Sequence, residues 1–151
     1  MTHHKRNNIR LYGYDYGQAG GYFVTICTSN RECLLSRVLP GNKFVRADVQ
    51  LTELGCIADR VIHEVSGRTG IRLSEYVIMP NHIHVIFFIS NDDSNTAPSQ
   101  ERFRDVEAPS PTNMTIPRVV SAFKRMCNKE IGENIFQRAY YDHIIRDYDD
   151  Y

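Results

Sequence analysis

Residues 79–88, Met-Pro-Asn-His-Ile-His-Val-Ile-Phe-Phe, restrict the fold more than any other stretch of the chain. Past the Pro-Asn break the residues are aromatic and β-branched, the composition of a strand. Side chains alternate faces along a strand, so His82, His84, Ile86 and Phe88 share one side while Ile83, Val85, Phe87 and Ile89 share the other. The second set is wholly apolar. The first opens with two imidazoles and then turns apolar, which predicts a strand buried on both faces and central in its sheet. Neutral imidazole is the commonest metal ligand, and two at i, i+2 on a stiff strand can share one ion. For either histidine alone, a satisfied structural residue is the plainer reading. Together, on an otherwise apolar face, they carry a desolvation cost unless they have partners. Zinc would need a third and a fourth ligand, and no His or Cys pair elsewhere has ligand spacing. The pair therefore predicts an open, incomplete site.

A chain of 151 residues, 42% hydrophobic and 24% charged, is one domain, 1–151, able to bury a core. No apolar run approaches membrane-spanning length, and the opening Met-Thr-His-His-Lys-Arg-Asn-Asn lacks a signal-peptide core, so no membrane is expected and the cytoplasm is. Cys27, Cys33, Cys56 and Cys127 show no CxxC and read as reduced thiols, mostly core filler. The net charge of zero gives no global basic footprint of a nucleic-acid binder. Five acids against two bases in 90–112 nevertheless leave the rest of the chain with a basic surplus.

Along the chain, residues 1–21 read as a basic, then Tyr/Gly-rich lead-in, its tyrosines able to cover a sheet edge or to stack on bases. Residues 22–28 read as a strand, 29–43 as a loop and 43–49 as a short strand. Thr52 to Ser66 predicts a helix with Thr52 as N-cap, Gly67 as C′ residue, and Leu54, Ile57, Ala58, Val61 and Val65 as its buried stripe. Ile71 to Met79 predicts a strand whose short joint to the histidine strand implies an antiparallel pair. Residues 90–114, rich in Ser, Asn, Asp, Thr and Pro, read as a mobile surface loop. Thr115 to Ile131 predicts a second helix. Arg118, Arg125 and Lys129 share the face away from its apolar stripe, with Lys124 on the flank, a solvated face or a phosphate contact. Ile135 to Arg146 reads as a final strand region, with His143 either a buried, hydrogen-bonded strand residue or one that reaches toward the histidine pair, and Tyr140 and Tyr141 as strand and core residues. Asp147 to Tyr151 reads as the acidic start of a truncated third helix. The order predicts an α+β ferredoxin-like sandwich, a mostly antiparallel sheet with two helices on one face.

Met79-Pro80-Asn81-His82-Ile83-His84-Val85-Ile86-Phe87 closely resembles the histidine-hydrophobic-histidine motif of the single-tyrosine HUH transposases, REP-associated tyrosine transposases and their insertion-sequence relatives. Tyr14 to Tyr16 and Tyr22 to Thr28, Leu51-Thr52-Glu53-Leu54-Gly55, and Phe136 to Arg146 agree with that family in order, over nearly the whole chain. The resemblance implies a DNA transposase, nicking and rejoining hairpin-bearing single-stranded DNA through a tyrosine–DNA link. His82 and His84 would be catalytic residues holding a divalent metal, Mg or Mn, and imidazole suits manganese better. Arg118, Lys124, Arg125, Lys129 and Asn81 would contact DNA, and the protein would act as a homodimer. The nucleophilic tyrosine of the family aligns beyond residue 151, which leaves Tyr148 and Tyr151 as poor substitutes and the nucleophile unidentified. The alternative is a non-cleaving, hairpin-specific DNA-binding protein descended from such an enzyme.

Overall fold

The computed structural model describes residues 19–41, 48–69, 71–90 and 115–145. The lead-in 1–18, the acidic segment 91–114, the start of the third helix, Tyr148 and Tyr151 all lie outside them.

Four strands form one sheet in the order β4 (Arg72–Ile78), β5 (His82–Ile89), β1 (Gly20–Cys27), β6 (Tyr141–Ile145), every neighbour antiparallel. Helix α1 (Glu53–Thr69) connects β1 to β4, and α2 (Thr115–Ile131) connects β5 to β6. This split βαβ arrangement, doubled, is the ferredoxin-like plan. A hairpin of β2 (Ser36–Leu39) and β3 (Asp48–Leu51) is inserted ahead of α1. Residues 29–43 are thus more than a loop: a 3-10 turn at Ser29–Arg31 and β2 lie within them, and the second short strand is β3.

Both helices cover one side of the sheet. Tyr22, Val24, Ile26, Ile83, Val85 and Phe87 meet Ala58, Val61, Ile62 and Val65 of α1 and Ile116, Val119, Val120, Phe123 and Cys127 of α2 there, and all are buried. The opposite side is half open, a correction to the expectation that β5 is buried on both faces. His82, His84, Ile86 and Phe88 are each of intermediate exposure. Their apolar neighbours had hidden the fact that no helix covers them among the described residues.

Helix α1 starts where its cap predicts: the Gly55 amide donates to Thr52 Oγ1 at 3.1 Å. It runs past Gly67 to Thr69, however, and the chain is turned back by Ser66 Oγ donating to the Ile71 carbonyl at 2.6 Å. Helix α2 has the predicted bounds and ends at Gly132, whose φ of +89° is the left-handed C′ geometry. The final strand is shorter than the apolar pattern of 135–146 implies, because Phe136 forms only an isolated bridge to Thr28. Tyr140 is buried there but Tyr141 is exposed, as is His143. Cys27 and Cys127 are buried, whereas Cys33 and Cys56 are exposed and fill no core. Among the described residues no helix is long and apolar enough to cross a membrane.

Candidate metal and nucleic-acid site

The entrance of β5 brings the two predicted imidazoles together. The ring centroids of His82 and His84 are 4.5 Å apart with their planes inclined by 70°. Each ring is held through Nδ1. That of His82 donates to Asn81 Oδ1 at 2.7 Å, and that of His84 lies 2.9 Å from Thr25 Oγ1 on the neighbouring strand, where the hydroxyl can accept or donate. Phe23, one residue pair along β1, stacks on His84 at 5.0 Å and 29°. With Nδ1 so engaged, Nε2 of each ring is left without a hydrogen-bond partner among the described residues. Partners on the far nitrogen are how ligand histidines are oriented and their tautomers fixed.

Asn81 and the residues around it are strapped by the segment that the sequence reads as loop. Thr28 donates its amide to the Asn81 carbonyl at 3.0 Å, its hydroxyl is shared between the Glu32 carbonyl at 2.8 Å and the Asn81 carbonyl at 3.0 Å, and Leu35 donates its amide to the Pro80 carbonyl at 3.0 Å. Asn81 orients its neighbour: its side-chain oxygen holds His82, and its amide nitrogen lies 3.4 Å from the Arg31 carbonyl.

Both histidines titrate below the ordinary value. Burial is the larger cause for each, reinforced for His82 by the charge of Arg31 and for His84 by His82. Both shifts favour the neutral ring, the state a metal requires. The direction sets the sign of a pH effect on the metal-free fold. Because the folded-state pKa values lie under the unfolded 6.5, the stability of the neutral pair is fully present above 6.5 and declines as pH falls below it. The ring protons of both residues, followed by NMR in the metal-free protein, should titrate with midpoints below 6.5.

Two donors are half a metal site. Among the described residues no group of three or more His, Cys, Asp or Glu side chains converges anywhere. Cys27, in register with His82, is 1% exposed. Two neutral imidazoles fit a divalent ion that keeps its other positions for water or phosphate oxygen.

The basic residues of α2 part company. Arg118, Arg125 and Lys129 are exposed, and the last two line an open groove of about 640 Å³ with Asn128, Gly132, Glu133 and Asn134. Lys124 points elsewhere. Its Nζ donates to the carbonyls of Gln137, Arg138 and Ala139 at 2.7, 3.2 and 3.1 Å and lies 5.6 Å from the Tyr140 ring centroid, so it fastens the approach to β6. Burial pushes its pKa down to about 8. It has a structural role whatever else it touches, a distinction that helical spacing alone does not make. Lys124→Met should cost about 2 kcal/mol in denaturant unfolding.

The fold is a ferredoxin-like sheet, with the paired-histidine strand on its open face. The chain belongs to the same family as an uncharacterized protein of Haemophilus influenzae (strain ATCC 51907 / DSM 11121 / KW20 / Rd), with which it is 34% identical over 152 residues, covering 95% of this chain and 81% of that protein. No family profile matches the sequence. Among solved structures, a REP-associated tyrosine transposase bound to a REP hairpin shares the fold at a TM-score of 0.58 and 18% identity, over 93% of this chain and 65% of that one. This chain therefore spans just under two-thirds of that transposase. A candidate transposase of Deinococcus radiodurans superposes at a TM-score of 0.53 and 14% identity, over 93% and 89% of the two chains. At these identities it is the fold that is shared.

Proposed function

We propose that the protein is a transposase-type enzyme acting on hairpin-bearing single-stranded DNA, with His82 and His84 as the residues that hold a divalent metal, manganese or magnesium. The observation that carries this reading is the pair of imidazoles, each oriented through Nδ1, on the open face of the sheet. The shared fold of a transposase bound to a DNA hairpin supports it. A divalent ion there supplies Lewis-acid polarisation of a phosphodiester.

This chain's own contribution is placement. Asn81 and Thr25 fix the rings, Phe23 stacks on that of His84, and Arg31 adds positive charge near His82 where a phosphate would approach. Arg118, Arg125 and Lys129 are the phosphate contacts we assign to the helix side. The nucleophile is a tyrosine hydroxyl: its oxygen bonds to phosphorus as the P–O3′ bond breaks, and the departing 3′-oxygen takes up a proton. The phosphodiester energy is kept in the protein–DNA link, so no nucleotide cofactor is needed.

The test is incubation with hairpin-flanked single-stranded oligonucleotides and Mn²⁺ or Mg²⁺, reading strand nicking and the covalent adduct by gel. Metal-dependent nicking that is abolished by EDTA is the expected result. Nicking that survives a His82→Ala/His84→Ala double substitution overturns the reading. Salt-dependent hairpin binding with no adduct under any metal favours the non-cleaving DNA-binding protein instead.

A further inference from the structure

The two large apolar side chains left most exposed on the described four-stranded sheet lie in one row with His84. Val77 is 39% exposed and Tyr141 44%; the other large exposed apolar residues, Val38 and Leu39, belong to the β2–β3 hairpin. The register of the sheet pairs Val77 with His84, His84 with Thr25 and Thr25 with Tyr141. Directly opposed residues project to the same face, so these four cross the open side at right angles to the strands. At about 4.8 Å between strands, Val77 sits about 5 Å to one side of His84 and Tyr141 about 10 Å to the other.

Charge on this face is arranged for an anion. Arg31, whose carbonyl lies 3.4 Å from the Asn81 amide nitrogen, brings positive charge near His82 at the entrance of β5, and the Arg72 guanidinium lies 4.8 Å from the Phe88 ring centroid at its far end. Glu75, at the outer edge, is the acid that the described strands turn to this side. An apolar row flanking a paired-histidine phosphate site between two guanidiniums suits a chain whose phosphates alternate with flat bases. By analogy of architecture alone, four-stranded sheets of this layer arrangement take single strands on aromatic residues of their open face.

We infer that this row is a single-stranded DNA subsite in which Tyr141 stacks against a nucleobase next to the phosphate at His82 and His84, with Val77 flanking that phosphate on its other side. The inference rests on the reading of the histidine pair as a DNA-phosphate site. Tyr141 acts through its ring, and its hydroxyl takes no part.

The test is fluorescence anisotropy of labelled dT12 with the protein in EDTA, so that stacking is read apart from metal chemistry. Tyr141→Ala should weaken dT12 binding by about tenfold or more, the range of a lost base–aromatic stack. Tyr141→Phe should bind as the unaltered protein does. A 2-aminopurine reporter in the oligonucleotide should be quenched by the unaltered protein and by Tyr141→Phe but not by Tyr141→Ala. Unaltered dT12 affinity in Tyr141→Ala overturns the inference. So does a Tyr141→Phe defect as large as that of alanine, which would transfer the role to the hydroxyl, and so does a change in oligomeric state on Tyr141→Ala, which would make the face a contact between copies. The His82→Ala/His84→Ala variant separates the two readings. If nicking is histidine-dependent while Tyr141→Ala is silent, the inference fails alone; if Tyr141 governs dT12 binding while nicking ignores the histidines, the metal reading fails alone.

Discussion

Gly55→Ala should destabilise the fold by about 3 kcal/mol, lowering the melting temperature by about 6–12 °C for a chain of this size. A Cβ at this position would lie 2.0 Å from the Leu35 carbonyl oxygen and 3.0 Å from its carbon. Neither side can retreat cheaply. The Leu35 carbonyl accepts the Thr52 amide at 3.0 Å, the Thr52 hydroxyl donates to the neighbouring Leu34 carbonyl at 2.6 Å, and the Leu35 amide donates to the Pro80 carbonyl at 3.0 Å. Ser36 Oγ, next in sequence, donates to the Ile78 carbonyl at 2.9 Å. Residues 34–36 are therefore a strap between the start of α1 and the turn that delivers His82. A methyl group at Gly55 would push on the strap and, through Pro80, on the histidine strand. The same substitution at Gly67 in the same helix is the control. A Cβ there meets nothing within 4 Å, so Gly67→Ala should stabilise by about 0.5–1 kcal/mol through helix propensity. Thermal denaturation followed by circular dichroism should show opposite signs for the two. A Gly55→Ala protein that melts at or above the parent temperature would show that the approach at Leu35 is not obligatory.

The strap also marks how far the sequence could be read. Elements whose evidence is periodic were legible: α2 has the predicted bounds because Ile116, Val120, Phe123 and Cys127 recur at helical spacing, and β5 because of its alternation. The histidine pair was legible for the same reason, since i, i+2 in a strand forces two side chains onto one face. Contacts between distant segments were not. Nothing in residues 29–43 announces that Thr28, Leu35 and Ser36 bond to the 78–81 turn, because backbone partners leave no mark on the residue types that receive them. Thr25, opposite His84, was invisible until the register placed it there. The carbonyl partners of Lys124 were hidden for a related reason: helical position alone does not say whether a flanking lysine meets water or three carbonyls. The Leu-Thr-Glu-Leu-Gly run did carry a signal that helix statistics obscure. A glycine at the third helical position is a poor choice for propensity, and a poor local choice points to a close approach elsewhere in the fold.

His82→Ala and His84→Ala should each abolish metal-dependent nicking, with a loss of at least about a hundredfold in rate, since Lewis-acid stabilisation is worth several kcal/mol. The orienting residues should fall between these and the unaltered protein. Asn81→Ala removes the acceptor at 2.7 Å from His82 Nδ1, and Thr25→Val removes the hydroxyl at 2.9 Å from His84 Nδ1 while keeping its volume. Partners of this kind alter metal affinity by about 10–100-fold, so each should weaken Mn²⁺ binding by about that factor in calorimetric titration. High metal concentration should then restore nicking to both variants and to neither histidine substitution. That rescue separates orientation from ligation, because a misoriented imidazole still binds when the equilibrium is forced, whereas an absent one does not. It also removes instability as an explanation, since Thr25 and Asn81 are no more exposed than the histidines they hold and their loss perturbs the same corner of the sheet. Mn²⁺ affinity unchanged in the double histidine variant would show that the pair is packing, held by Phe23 and Thr25 for the sake of the sheet, and would remove the metal from this face altogether.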